Sequence, residues 1–185
     1  MSLLFIAVYT AWLASEILLN RFLRGSNTDQ QQKDKGSLSF MWIIIIASIV
    51  VAGFIGHSTY RPIGGNAVRL AGLAVIILGM ILRFAAVSQL GRLFTVMVTI
   101  REGHNIKKDG LYKYLRHPSY AGSLLSFIGY GLSMNNWLAL IVVFVPVFLV
   151  FVYRMQIEEQ VLMGQFGDEY VNYMKTTKRV IPWIY

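Results

Sequence analysis

Gly103-His104-Asn105-Ile106-Lys107-Lys108-Asp109-Gly110-Leu111-Tyr112-Lys113-Tyr114-Leu115-Arg116-His117-Pro118-Ser119-Tyr120-Ala121-Gly122 is a polar, basic stretch set between two long apolar ones. It carries His104 and His117, two of the three histidines in the chain. Pro118 fixes its own φ and pushes His117 out of the α region. Proline also suits the first position of a helix, so His117 is predicted to cap an apolar helix that begins at Pro118. The unpaired N–H groups of that helix start would face the polar loop, where an anionic group can bind. Gly103 and Gly110 allow sharp turns and close approach to a ligand.

Reading outward, the flanks are apolar enough to decide the fold class. The chain of 185 residues is 56% hydrophobic and has no cysteine. A soluble domain of this size is rarely so apolar, and the missing cysteines exclude disulfides and thiolate metal sites. Residues 3–23, 40–56, 67–90, 118–133 and 137–165 each read as a helix, and the chain is expected to be a single all-α membrane domain over 1–185. Residues 3–23 are long enough to cross ~30 Å of hydrocarbon. They lack a basic start and a clear small-residue cleavage site, so they read as a retained span rather than a leader.

Residues 25–39 read as a polar loop, and 57–66, with Pro62, Gly64 and Gly65, as a turn. Gly72 and Gly79 offer the third helix a small face for close packing. Periodicity leaves residues 94–100 open as a strand, a buried loop or a membrane-surface segment. The fourth helix is short for a span unless it is tilted or shielded by protein. Met134-Asn135-Asn136 forms the turn to the fifth helix, which Pro146 should kink and Gly167 should end. Asp168 is expected to cap a short amphipathic helix reaching to about Thr176.

The net charge of +8 points to topology rather than to nucleic acid, because the basic residues sit in short loops between apolar runs. Arg21, Arg24, Lys33, Lys35, Arg92, Arg101, Lys107, Lys108, Lys113, Arg116, Lys175, Lys178 and Arg179 fall on one side, and only Arg61 and Arg69 on the other. That asymmetry predicts an outside N-terminus and a cytoplasmic C-terminus, with the stretch quoted above also cytoplasmic. Glu16 and Arg83 are charges within spans that run in the same direction. They are expected to pair, or Arg83 to line a substrate entrance.

His104, Gly110, Tyr112 and the run Arg116-His117-Pro118-Ser119-Tyr120 resemble the signature of the isoprenylcysteine carboxyl methyltransferases. A second block agrees: Arg154, Glu158-Glu159, Phe166-Gly167-Asp168-Glu169-Tyr170 and Tyr173. Phospholipid N-methyltransferases and the C-terminal parts of sterol reductases are more distantly similar. The resemblance implies an integral membrane enzyme that uses S-adenosylmethionine. It implies cofactor contacts from His104, Ile106, Gly110, Tyr112, His117, Pro118, Ser119, Tyr120 and Glu158, and a substrate contact from Arg154. Lys107 stands where the family usually has an apolar residue, and Met97 where its eukaryotic members carry a cofactor-contacting glutamine.

Each of these residues also has a plainer reading. Arg154 and Glu158, four apart on one helix, make an ordinary salt bridge or snorkelling pair. His117 can be a helix cap only, His104 a loop residue, and Tyr112 and Tyr120 interface anchors. Glu159 points about 100° away from Glu158 and reads as a support or solvent residue. Two histidines without a third ligand make no metal site.

The function expected first is methyl transfer from S-adenosylmethionine to the carboxylate of a lipid-like, prenylcysteine-type acceptor in a multi-pass membrane protein. A carboxylate is ionised at neutral pH and needs no general base. Methylation of a phospholipid amine or another small lipid, reduction with NADPH, and a non-enzymatic membrane role stay open as alternatives. Membrane lipids are the expected surroundings, and no oligomeric state follows.

Overall fold

The computed structural model describes residues 3–22, 36–57, 62–91 and 106–185. The segment 94–100, Met97 and His104 lie outside the described residues. Among the described residues, five long helices, α1 (Leu3–Phe22), α2 (Ser37–Gly56), α3 (Asn66–Leu90), α4 (Pro118–Ser133) and α5 (Trp137–Phe166), are followed by a short one, α6 (Asp168–Thr176). α2, α3 and α5 are long and apolar enough to cross a membrane, and α1 carries a shorter apolar stretch. Their outward faces present Ile43, Phe54, Phe84 and Leu149 to the surroundings. A continuous apolar surface of that kind suits lipid rather than water.

α4 is the centre of the bundle. It has 16 residues, short for a span, but most of them are buried between α3 and α5. The shielding that its length requires therefore comes from the protein. Against α3 the contact is nearly backbone to backbone. A Cβ on Gly122 would stand 2.6 Å from the Arg83 nitrogen and 2.8 Å from the Gly79 oxygen. One on Gly129 would stand 2.6 Å from the Ile76 nitrogen. The small face expected at Gly72 and Gly79 is thus half of a seam completed by Gly122, Ser126, Gly129 and Ser133 of α4. Close packing of this kind drives helix association where the surroundings are as apolar as the side chains.

On its other side α4 meets α5 through aromatic edges, Tyr120–Phe151 at 5.0 Å and Phe127–Phe151 at 6.2 Å between ring centres. α1 is attached by Trp12, buried against Phe127 and Tyr130, and by two polar contacts. Tyr9 hydrogen-bonds Ser133, and Glu16 lies 2.8 Å from Arg83. The two membrane charges do pair, and Arg83 also donates to Ser119 Oγ at 3.0 Å.

The turn into α5 forms as its residues suggest. Asn135 takes a positive φ of 53°, and the Asn136 side chain accepts from Leu138 and Ala139 as a true cap. Asn135 also bonds Gly64 in both directions, which ties the 62–65 loop to this end of the bundle. α5 runs through Pro146 as one helix and stops at Gly167.

Besides one-residue shifts at the ends of α3 and α5, two helix starts differ from the sequence reading. Asp168 is the first residue of α6, and the capping position belongs to Gly167, which makes no side-chain bond. Asp168 supports the helix through its charge near the N-terminus instead. α2 begins at Ser37 rather than Phe40, because the polar look of Ser37-Leu38-Ser39 hides a buried helix start.

Candidate functional site

The polar stretch is laid down against three elements in turn. Lys107 pairs with Asp109, and Gly110 then adopts a φ of 59°, where a side chain would collide with Gln89. Gln89 Oε1 accepts from the Leu111 N–H at 2.8 Å, fastening the loop to the end of α3. A single 3₁₀ turn, Gly110–Lys113, buries Tyr112, whose hydroxyl donates to the Ala86 carbonyl at 3.2 Å. The Tyr112 carbonyl in turn accepts from Tyr173 of α6 at 2.6 Å. Tyr112 is therefore a buried fastener between α3 and α6 and not an exposed interface anchor.

The chain next reaches His117, which occupies the N-cap of α4 with Pro118 at the first helical position. The imidazole makes no bond to the helix end; it turns toward α5 and meets two adjacent carboxylates. Nδ1 lies 3.5 Å from Glu158 and Nε2 3.3 Å from Glu159. Neighbouring residues on one helix face different ways, and His117 sits in the notch between them. Burial alone would make the ring less basic, but the hydrogen bonds and charges of Glu158 and Glu159 outweigh it and raise its pKa above the ordinary 6.5.

The two glutamates have different surroundings. Glu158 accepts from the Tyr120 hydroxyl at 2.6 Å and lies 3.7 Å from Arg154 Nε, and 22% of its side chain stays exposed. It can still receive a ligand. Glu159 is only 3% exposed and its oxygens are taken. Arg116 donates to it at 2.9 Å, and Arg179 donates through Nε at 3.1 Å and Nη2 at 2.7 Å. Of the two expectations for Glu159, the structure gives the support and removes the solvent-facing one.

Arg154 is 1% exposed and donates to the Ser37 hydroxyl at the start of α2. Its approach to Glu158 is the i,i+4 pairing expected of one helix face. The structure thus brings together His117, Pro118, Ser119, Tyr120, Arg154 and Glu158. Gly110 and Tyr112 lie in the adjoining turn, and Ile106 is partly buried where the described loop begins.

The sequence model of the Isoprenylcysteine carboxyl methyltransferase (ICMT) family matches residues 71–164, a stretch that runs from α3 through the loop and α4 to the glutamate pair on α5. The chain belongs to this family. Among proteins similar to it, protein-S-isoprenylcysteine O-methyltransferase B of Arabidopsis thaliana is 37% identical over 115 residues, covering 61% of this chain and 58% of that one. The Schizosaccharomyces pombe protein-S-isoprenylcysteine O-methyltransferase is 32% identical over 114 residues, 60% of this chain and 48% of its own length. The matched part spans about half the length of these curated relatives. The fold resembles that of a eukaryotic intramembrane Ras methyltransferase, with a TM-score of 0.66 at 22% identity over 97% of this chain and 67% of that one.

Two participants in the site, Ser37 and Arg179, are not read as such from the sequence; Arg116 stands in the signature with no role assigned to it, and Glu159 is expected as a support or solvent residue without its burial. Arg116 had a usable signal, since an arginine next to a capping histidine and facing a Glu-Glu pair invites an ion pair. Ser37 and Arg179 come from distant parts of the chain and had none.

Proposed function

We propose that the chain is an S-adenosylmethionine-dependent membrane methyltransferase that esterifies the carboxylate of a prenylcysteine-type lipid acceptor at the cytoplasmic face. The observation that carries this reading is the juxtaposition of one reachable carboxylate, Glu158, with the start of α4 and with Arg154 on the same face of α5. S-adenosylmethionine has a charged amino group, a carboxylate and a sulfonium, and the residues present fit that set. Glu158, braced by His117 and Tyr120, suits the amino group. The first turn of α4, whose N–H groups receive no side-chain cap, suits the carboxylate. The family signature supports Ile106, Gly110, Tyr112, Pro118, Ser119 and Tyr120 as further cofactor contacts, and His104 belongs to the same set by its place in the signature.

When bound, the cofactor supplies an electrophilic methyl group on a sulfonium, which leaves as a neutral thioether. The acceptor carboxylate is the nucleophile and is already ionised, so no residue here has to remove a proton. Arg154 orients it with its planar guanidinium, which matches a carboxylate in two-pronged fashion. Its burial against Ser37 and Glu158 restricts its rotamers, and alignment of this kind lowers a displacement barrier most. A pocket poor in water favours a transition state in which opposite charges cancel. We read α1 to α5 as spans of one membrane unit, with the N-terminus outside and the site on the cytoplasmic side, on the charge asymmetry of the loops.

The relatives are named for isoprenylcysteine, which supports a prenylated acceptor here. The deciding experiment incubates the purified protein with labelled S-adenosylmethionine and an acceptor panel: a prenylcysteine, the same compound as its amide, and phosphatidylethanolamine. Base-labile methyl ester on the free acid alone is the expected result. Label on the amine instead would transfer the reading to phospholipid methylation.

A further inference from the structure

Residues 177–185 lie beyond α6, and neither signature block includes them. They nevertheless touch the site at two levels. At the backbone, they run parallel to the segment that ends in His117. The Arg116 N–H donates to the Lys178 carbonyl at 2.7 Å, the His117 N–H to the Arg179 carbonyl at 3.0 Å, and the Lys178 N–H to the Tyr114 carbonyl at 3.1 Å. At the side-chain level, Arg116 Nη1 also reaches the Thr177 carbonyl at 2.5 Å, and Arg179 forks onto Glu159. The segment also closes on itself. Arg179 Nη1 donates to the Tyr185 hydroxyl at 2.6 Å, its guanidinium lies 5.4 Å from the Tyr185 ring centre, and that ring packs on Phe148 of α5. Val180 is buried in the same core.

A carboxylate as buried as Glu159 needs its lone pairs filled, and an unfilled one would turn toward whatever donor is nearest. Arg179 donates to Oε2 from two nitrogens, its Nε also lies 3.2 Å from Oε1, and Arg116 holds Oε1. The carboxylate is fixed by this fork with Oε1 toward His117 Nε2. With Nε2 engaged there, the other ring nitrogen faces Glu158. We propose that residues 177–185 form a latch on the cofactor site, in which Arg179 is a positioning residue that clamps Glu159 and so sets the ring of His117 toward Glu158. The latch deepens the cofactor reading given above and rests on it. Orientation of a ligand-contacting histidine by a partner on its far nitrogen is a general device.

The chain has three histidines, so ¹⁵N-histidine labelling in detergent gives a small set of ring signals, with His117 assigned through His117→Asn. Arg179→Ala should shift the His117 ring signals and leave those of His57 in place. It should also weaken S-adenosylmethionine binding by about tenfold, the scale of one charged hydrogen bond. Arg179→Lys keeps the charge without the fork and should recover part of both effects. Tyr185→Phe removes a single hydroxyl acceptor and serves as the gentler variant should Arg179→Ala fold poorly; a smaller shift of the same ring is expected. His117 signals that superimpose on wild type in all three variants would overturn the latch, as would a shifted ring with unchanged affinity. Failure of the wild-type protein to bind S-adenosylmethionine would sink the cofactor reading instead, and the ring signals would then decide the latch by themselves.

Discussion

Glu158 and Arg154 project from one side of α5, yet their surroundings assign them different partners. Glu158→Gln keeps the shape and removes the charge, so S-adenosylmethionine affinity should fall by ~1.5–3 kcal/mol, the worth of a charged hydrogen bond. Arg154→Ala should leave that affinity nearly intact and abolish methyl transfer, with Arg154→Lys rescuing in part because a point charge lacks the planar fork. Calorimetry with the cofactor and a turnover assay separate the two; equal loss of binding in both variants would mean a purely structural pair. His117 supports a second expectation. Its pKa is raised in the folded protein, so the native state keeps a proton that the unfolded chain releases. The resulting stabilisation is complete below the ordinary value of 6.5 and is lost as pH rises through the raised one. Thermal midpoints should therefore decline as pH rises through that window in the wild type and more weakly in His117→Asn. Parallel declines would assign the titration to another group. Arg154, Glu158 and His117 were legible because each sits in a short pattern of characteristic spacing. Arg179 and Ser37 were not, because their roles arise only when α5 meets segments far away in the chain, and no local spacing encodes that meeting.

The helices were legible from their apolar runs, and so was the turn at Asn135-Asn136, whose residue types suit the backbone they adopt. The depth of the α3–α4 contact was half legible. Gly72 and Gly79 announce a small face, but only the structure pairs them with Gly122 and Gly129. Gly122→Ala places a methyl 2.6 Å from the Arg83 nitrogen and 2.8 Å from the Gly79 oxygen, and backbone cannot step aside as a side chain can. Prising the seam apart should cost about 1–3 kcal/mol, as overpacking does elsewhere, and should loosen the bond of Arg83 to Ser119 beside the site. Gly164→Ala on α5 is the control, since nothing lies within 4 Å of its Cβ. There the change should stabilise by roughly 0.5–1 kcal/mol through helix propensity. Unfolding midpoints in one detergent compare the two directly. A tolerated Gly122→Ala would mean that the helices slide. The α6 start misled for a different reason: Asp168 is a good capping residue, but Gly167 ends α5 and opens α6 at once, leaving no separate position for a cap.

For the molecule as a whole, the lack of cysteine makes single-cysteine labelling clean. Glu169→Cys on α6 should be protected from an impermeant maleimide in intact cells and labelled after lysis, whereas Asn66→Cys at the start of α3 should label in both. Both positions are exposed. The opposite pattern would invert the orientation drawn from loop charge. The latch also has a consequence in time. Arg179 follows Glu159 by 20 residues in the chain, so a ribosome completes every long helix and both glutamates before this partner of Glu159 is made. Clamping of Glu159 by Arg179 is then among the later contacts of the site to form. Until residues 177–185 are in place the histidine lacks that constraint, and affinity for a cofactor would be correspondingly lower.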